Sequence, residues 1–186
     1  MSSLHHLSQD LPKPENDGAC DHLPGLHLPD LRLPASNGQY INLSLFCGLT
    51  VIYIYPMTAQ PGEVLPESWD SIPGARGCTP QSCAYRDHYD DFRKLGCRVF
   101  GLSTQHTDTQ QEAVNRLHLP FSLLSDHELL FSRALQLPCF QFEHKTLLKR
   151  VTLFCENGVI EKVFYPVFPA DRNAETVIAY LKKRDI

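Results

Sequence analysis

Seven cysteines are the side chains in this sequence best suited to covalent chemistry, and two of them stand close together in Gly77-Cys78-Thr79-Pro80-Gln81-Ser82-Cys83. The segment lies between a long Pro- and Gly-rich stretch and an amphipathic run. Thr79 is a suitable N-cap and Pro80 a suitable first helical residue, which predicts a helix starting at or just after Cys78. Free backbone N–H groups and the positive end of the helix dipole would then face a Cys78 thiolate. Both favour the charged, nucleophilic form of the sulfur.

The spacing has a geometric consequence. On an ideal helix, residues five apart are about 8–9 Å apart between Cα atoms, whereas a disulfide needs about 4.4–6.8 Å. Cys78 and Cys83 cannot bond while both sit on an intact helix. Pro80 donates no hydrogen bond and biases Thr79 away from helical angles, so the first turn should melt readily. The pair reads as a switch rather than a staple. Three alternatives stand beside it: two buried thiols acting as small hydrophobes, a zinc site recruiting His88, and a thioredoxin-like dithiol. A rotation of about 140° per five residues scatters Cys78, Cys83 and His88 over different helix faces. The dithiol reading expects C-x-x-C, a spacing this sequence lacks.

The elements that must position these cysteines follow from the apolar pattern. Thr50–Tyr55 is a continuous β-branched and aromatic run stopped by Pro56, which predicts a central strand buried on both faces. Residues 57–77 are rich in Pro and Gly, hold the single Trp69 and exceed the usual connection length. Two roles suggest themselves for this loop: a lid over Cys78 or a docking surface. A helix is expected from Cys78 to about Leu95, with Tyr85, Tyr89, Phe92 and Leu95 on one stripe and Gly96 as its stop. A strand at Arg98–Leu102, a helix from Thr107 or Asp108 to Leu117, a strand at Phe121–Leu124 and a helix capped by Asp126 follow. Leu147–Phe154 and Val159–Tyr165 should pair across Asn157-Gly158. A small hairpin is expected at 31–43, and a helix at 171–183 closes the chain. Helices alternating with strands, then a hairpin and a helix, predict an α/β fold with a mixed central β-sheet and helices on both faces. Residues 1–22, with the His5-His6 pair, read as a flexible tail and 23–186 as one domain.

The 186 residues carry 17 Lys plus Arg against 21 Asp plus Glu, a net charge of −4. This weakly acidic, unclustered balance argues against a nucleic-acid or anionic-membrane partner. The longest apolar run, about Leu49–Tyr55, is far short of the roughly 20 residues of a membrane helix. The polar start shows no secretory pattern, so a cytoplasmic location is expected, with the cysteines reduced. Cys47, Cys97 and Cys155 are expected in the core, Cys139 near the surface, and Cys20 in the tail.

With these residues assembled, the sequence resembles the peroxiredoxins, in particular the Q-type or bacterioferritin-comigratory-protein group. The match runs from about Leu26 to the C-terminus. It is carried by Leu28-Pro29-Asp30-Leu31-Arg32-Leu33-Pro34, by Gly77-Cys78-Thr79 with Cys83, Tyr85, Arg86 and Asp87, by Val99–Ser103, and by Lys149–Leu153. The resemblance implies a thioredoxin-like fold and a thiol peroxidase for hydrogen peroxide and small organic hydroperoxides. Cys78 would be the peroxidatic cysteine and Cys83 the resolving cysteine of an intramolecular disulfide. Arg150 would stabilise the thiolate and polarise the peroxide. Thioredoxin or a similar dithiol would recycle the enzyme, with no metal, haem or flavin, in a monomer or weak dimer. A redox sensor with little turnover is the alternative use of the same switch, and a non-catalytic binding module of this fold is a third. The sequence departs from the family at one place. Where Pro-x-x-x-Thr-x-x-Cys is expected, Ser71 and Ala75 precede Cys78, and the nearest Pro and Thr are Pro56 and Thr58, as if the long loop had been inserted within the motif.

Overall fold

The computed structural model describes residues 11–184. In chain order the elements are β1 (Leu33–Pro34), β2 (Tyr40–Ile41), β3 (Leu49–Ile54), α1 (Glu67–Asp70), α2 (Cys78–Asp87), α3 (Tyr89–Lys94), β4 (Cys97–Ser103) and α4 (Thr107–Leu117). They continue with β5 (Leu123–Ser125), α5 (Leu130–Ala134), β6 (Cys139–Phe142), β7 (Lys145–Leu148), β8 (Val151–Glu156), β9 (Val159–Phe164) and α6 (Asn173–Arg184). Among the described residues no helix is long and apolar enough to cross a membrane.

The apolar run of β3 takes the middle of a five-stranded sheet ordered β5-β4-β3-β8-β9. It pairs in parallel with β4 and antiparallel with β8, which makes the sheet mixed. Because side chains alternate along a strand, Val51 and Tyr53 face one layer and Ile52 and Ile54 the other. The first layer gathers Cys83, Tyr85, Phe92, Ala113, Leu117 and Val177 from α2, α3, α4 and α6. The second gathers Leu23, Leu28, Leu33 and Leu43 with Phe131 of α5. Asn157 and Gly158, both at positive φ, turn β8 into β9, the backbone that an Asn-Gly hairpin requires. The Asp126 carboxylate accepts from the N–H groups of Phe131 and Ser132 in the first turn of α5, although the N-cap position falls at Leu129 and not at Asp126.

Four expectations change. The helix expected to run unbroken to Leu95 divides at His88 into α2 and α3. The run expected as one strand over Leu147–Phe154 breaks at Lys149-Arg150. Its first part pairs with Cys139–Phe142 as a separate hairpin, because Arg150 turns inward to be buried instead of continuing an alternating strand. Residues 57–77 are not a free loop: Trp69 of α1 packs against Phe140 and Phe142 of that hairpin, with Met57, Ala75 and Leu147, as a third small core. Finally, residues 11–22, expected as part of a tail, lie on the domain. Cys20 is buried in the main core, and Asp17 accepts from Tyr165 Oη at 2.8 Å and from Lys149 Nζ at 2.7 Å. His5 and His6 fall outside the described residues.

Gly101 on β4 shows how tightly the layer behind α2 is packed. A Cβ there would stand 2.5 Å from Leu123 Cδ2 and 2.7 Å from the Tyr53 ring, the ring that stacks on Tyr85 at 4.4 Å. Gly101→Ala should therefore destabilise the fold by about 1–3 kcal/mol through overpacking, read by chemical denaturation. An unchanged midpoint would contradict this packing.

Candidate active site

Gly77 adopts φ 113°, ψ 13°, a left-handed conformation that favours a residue without Cβ, and thereby turns the inserted loop directly into α2. The N-cap is thus Gly77, with Cys78 as the first helical residue. This shifts the start from the expected Thr79 cap. Pro80 falls third in the helix, where its missing N–H is still no loss because the first-turn donors have no intrahelical partner.

Cys78 is 5% exposed. Arg150 Nη2 donates to its Sγ at 3.1 Å, and as a thiol Cys78 points its S–H toward Ala75 O at 3.6 Å. Arg150 is itself 4% exposed, and every one of its partners is identifiable. Nε donates to Gly74 O at 3.2 Å, Nη1 to Gln81 Oε1, and Nη2 to Ala75 O at 3.1 Å and Arg76 O at 3.4 Å as well as to sulfur. These acceptors are neutral carbonyl and amide oxygens, and none is a carboxylate. Among the described residues the Cys78 sulfur is the one hydrogen-bond partner of Arg150 that can carry negative charge. A buried cation without a counter-ion is costly, and the Cys78 sulfur is the neighbour on which the guanidinium could best be matched by negative charge.

The structure places Cys83 on the same unbroken helix, 2% exposed. Both cysteines are free thiols, as the helical spacing of about 8–9 Å requires. Burial pushes the Cys83 thiol up, an effect partly offset by Arg86. Arg86 also bonds Asp87 and Leu117 O. His88 sits at the opposite end of α2, within hydrogen-bonding distance of Asp91, and does not approach the cysteines' end of a common site.

The family's Pro and Thr positions resolve unevenly. Pro56 is buried at the end of β3 and shares a cavity of about 410 Å³ with Gly74 and Arg150. Thr58 is also buried, but its hydroxyl donates to Gln105 Oε1 at 3.2 Å. Its backbone is clamped by the same amide, through N–H at 2.8 Å and C=O at 2.9 Å. The Thr58 hydroxyl is thus engaged with Gln105. Ser71 bonds Ser68 O at the surface, and Ala75 contributes its carbonyl to Arg150. Sequence reasoning missed Gln81, a fully buried polar residue three positions after Cys78. That spacing puts it on the helix face of Cys78, which was the available signal.

The remaining cysteines sort by position. Cys97 and Cys155 are core residues as expected, and burial pushes each up to about 12. Cys139 is exposed as expected. Cys47 is exposed rather than in the core, because it precedes the Gly48 turn into β3. Cys20 is buried, not free in a tail, and burial pushes it up to about 12.

The profile of the redoxin family matches residues 23–178. Peroxiredoxin Q of Sedum lineare, a chloroplastic protein, is 30% identical over 156 residues, covering 83% of this chain and 75% of the relative. The Arabidopsis thaliana protein of the same name is 28% identical over 160 residues, 85% of this chain and 66% of the relative. Among solved structures, peroxidoxin BcpB from Mycobacterium tuberculosis aligns with TM-score 0.71 at 23% identity over 87% of this chain and 98% of that one. Xanthomonas campestris peroxiredoxin Q aligns with TM-score 0.68 at 21% identity over 96% and 100%. At these identities the two structures speak to the thioredoxin-like fold.

One wall of the cavity is residues 13–17, held by Asp17. Hydrogen bonds from Lys149 and Tyr165 hold the Asp17 carboxyl down at about 2, against an ordinary 3.8. A depressed carboxyl stabilises the folded form above its ordinary value and loses that contribution as pH falls through its folded value. The latch should therefore persist well below pH 3.8. The Ala19 amide, which donates to Asp17 Oδ1, reports this directly: its NMR shift should titrate near 2. A midpoint near 3.8 would contradict the latch.

Proposed function

The chain belongs to the redoxin family, as a Q-type peroxiredoxin, and we propose that it reduces peroxides through Cys78. The thiolate attacks the terminal oxygen of ROOH, the O–O bond breaks, and the leaving alkoxide takes a proton to depart as ROH. Cys78 becomes a sulfenic acid. The Cys83 thiol then attacks that sulfur, forming the Cys78–Cys83 disulfide and releasing water. A dithiol partner such as thioredoxin attacks the disulfide, restores both thiols and leaves oxidised itself.

The observation that carries this reading is the 3.1 Å contact between Arg150 Nη2 and Cys78 Sγ, made by a buried guanidinium that has no carboxylate partner among the described residues. During the reaction the same guanidinium would stabilise the negative charge that develops on the departing oxygen. Next to it, the cavity bounded by Pro56, Gly74 and Arg150 has apolar walls from Ile72, Phe140 and Val167. These walls suit the organic part of a small hydroperoxide as well as hydrogen peroxide. The bacterioferritin comigratory protein of Xanthomonas campestris, of similar fold, is described as having alkyl peroxide reduction activity, which agrees with this choice of substrate.

Resolution by Cys83 requires α2 to unwind from its N-terminus. Pro80 biases Thr79 away from helical angles, so the first turn is where that helix unwinds most readily, and unwinding would also bring Cys83 to the reductant. A reducing compartment, taken to be the cytoplasm, fits a cycle that starts from free thiols.

Trypsin offers a direct test, because cleavage after Arg76 and Arg86 releases Gly77–Arg86 with both cysteines and no other. After stoichiometric peroxide and alkylation of free thiols, this peptide should be unalkylated and about 2 Da lighter than its reduced form. With thioredoxin, thioredoxin reductase and NADPH, peroxide consumption should persist in the parent protein and cease in Cys78→Ser. Two alkylated thiols after peroxide would overturn the cycle. A disulfide that forms without turnover would favour the sensor.

A further inference from the structure

Behind Arg150 lies a buried chain of polar side chains that the proposed reaction steps do not use. Gln81 receives Arg150 Nη1 on Oε1, and its Nε2 donates to Asn173 Oδ1 at 3.0 Å. The same Asn173 oxygen accepts from Tyr85 Oη at 2.7 Å and from Thr152 Oγ1 at 2.8 Å. Gln81, Tyr85 and Thr152 are fully buried and Asn173 is 4% exposed. Three elements thus meet at one amide oxygen: α2 through Gln81 and Tyr85, β8 through Thr152, and α6 through its first residue, Asn173, and Arg150, in the segment before β8, joins them through Gln81.

The guanidinium sets the direction of every bond in this chain. Arg donates and never accepts, so Gln81 must present its oxygen to Arg150 and its NH2 group away from it. That NH2 group then needs an acceptor, and among the described residues Asn173 Oδ1 is its partner. Without it, Gln81 can satisfy its buried donors only by turning, and turning would set an NH2 group against Arg150 or withdraw the amide from it. The Nη1 side of the guanidinium would then lose its anchor, leaving Arg150 to the carbonyls of the inserted loop. Nη2, which touches sulfur, shares the plane of Nη1 and would be displaced with it.

We propose that Asn173 is a positioning residue for Cys78: by fixing which end of Gln81 faces Arg150, it holds the guanidinium on the sulfur. This inference rests on the reading of Cys78 as the reacting thiolate. A purely structural role, tying α6 to α2 and β8, predicts something different. Breaking any bond to the Asn173 oxygen would then lower stability and leave the sulfur unaffected so long as the protein is folded.

The test compares Asn173→Ala, Gln81→Leu, their double variant and Thr152→Val in the reduced full chain. Thr152→Val breaks a bond to the same oxygen without touching Gln81. Thermal unfolding, the alkylation rate of Cys78 near neutral pH and the ultraviolet absorbance of the thiolate are read on each. Asn173→Ala and Gln81→Leu should each slow Cys78 alkylation about tenfold, the scale of one hydrogen bond to a charged group. Both should lower the thiolate signal. The double variant should be no slower than either single one, because both act through one path. Thr152→Val should unfold earlier and alkylate at the parent rate. If Asn173→Ala does not fold, Asn173→Ser takes its place. A folded Asn173 variant that alkylates at the parent rate, or a slowing shared by Thr152→Val, overturns the positioning role and leaves the peroxidase reading intact. A parent protein without a Cys78 thiolate signal overturns the reading beneath it.

Discussion

A buried guanidinium that among the described residues has no carboxylate partner is the constraint around which this molecule is arranged. Arg150 spends its donors on the carbonyls of Gly74, Ala75 and Arg76, on Gln81 and on the Cys78 sulfur. Three consecutive loop carbonyls must therefore turn inward just before α2 begins. The left-handed Gly77 is what lets the chain leave those carbonyls and enter the helix in one residue. The arrangement leaves a place for negative charge, and the first residue of the helix occupies it.

The sheet delivers these pieces to one end. Ile54 of β3 stands opposite Val151 of β8, so Pro56 and Arg150 emerge side by side where the two strands begin and end. The α2 N-terminus meets them there because the inserted loop carries the chain across. That loop is anchored by Trp69 against Phe140 and Phe142, a small core separate from the two that flank the sheet. The carbonyls that hold Arg150 are thus fastened on one side to this core and on the other to the first turn of α2. Melting that turn to join Cys78 to Cys83 would pull on both. The packing of Trp69 and the contact between Arg150 and Cys78 are in this way mechanically linked.

Much of this could be read from the residues. The continuous run at 50–55 predicted a buried central strand because few other elements are apolar on every side. The residue types around Cys78 predicted a helix beginning there, as α2 does, and the Asn157-Gly158 pair predicted its hairpin. Arg150 was legible only through the family resemblance, since a lone arginine in an apolar run carries no local signal of the direction in which it points. The break at Lys149-Arg150 was hidden for the same reason, and with it the hairpin that receives Trp69. Gln81 and Asn173 are 92 residues apart, and the bond joining them exists only after α6 folds back onto α2. The burial of Cys20 likewise depends on tertiary packing, in a segment whose Pro and Gly content gave no apolar period. The engagement of Thr58 with Gln105, across 47 residues, is another contact of this kind.

The most direct test of this account is the ultraviolet difference spectrum of the reduced protein near neutral pH, compared with Cys78→Ser and Arg150→Met. Cys20, Cys97 and Cys155 are pushed up to about 12 and stay silent there. The parent protein should show thiolate absorbance that both substitutions remove, while the fold persists by circular dichroism. An identical spectrum in the parent and Cys78→Ser, or a thiolate undiminished in Arg150→Met, would contradict the claim that the buried guanidinium holds Cys78 as an anion.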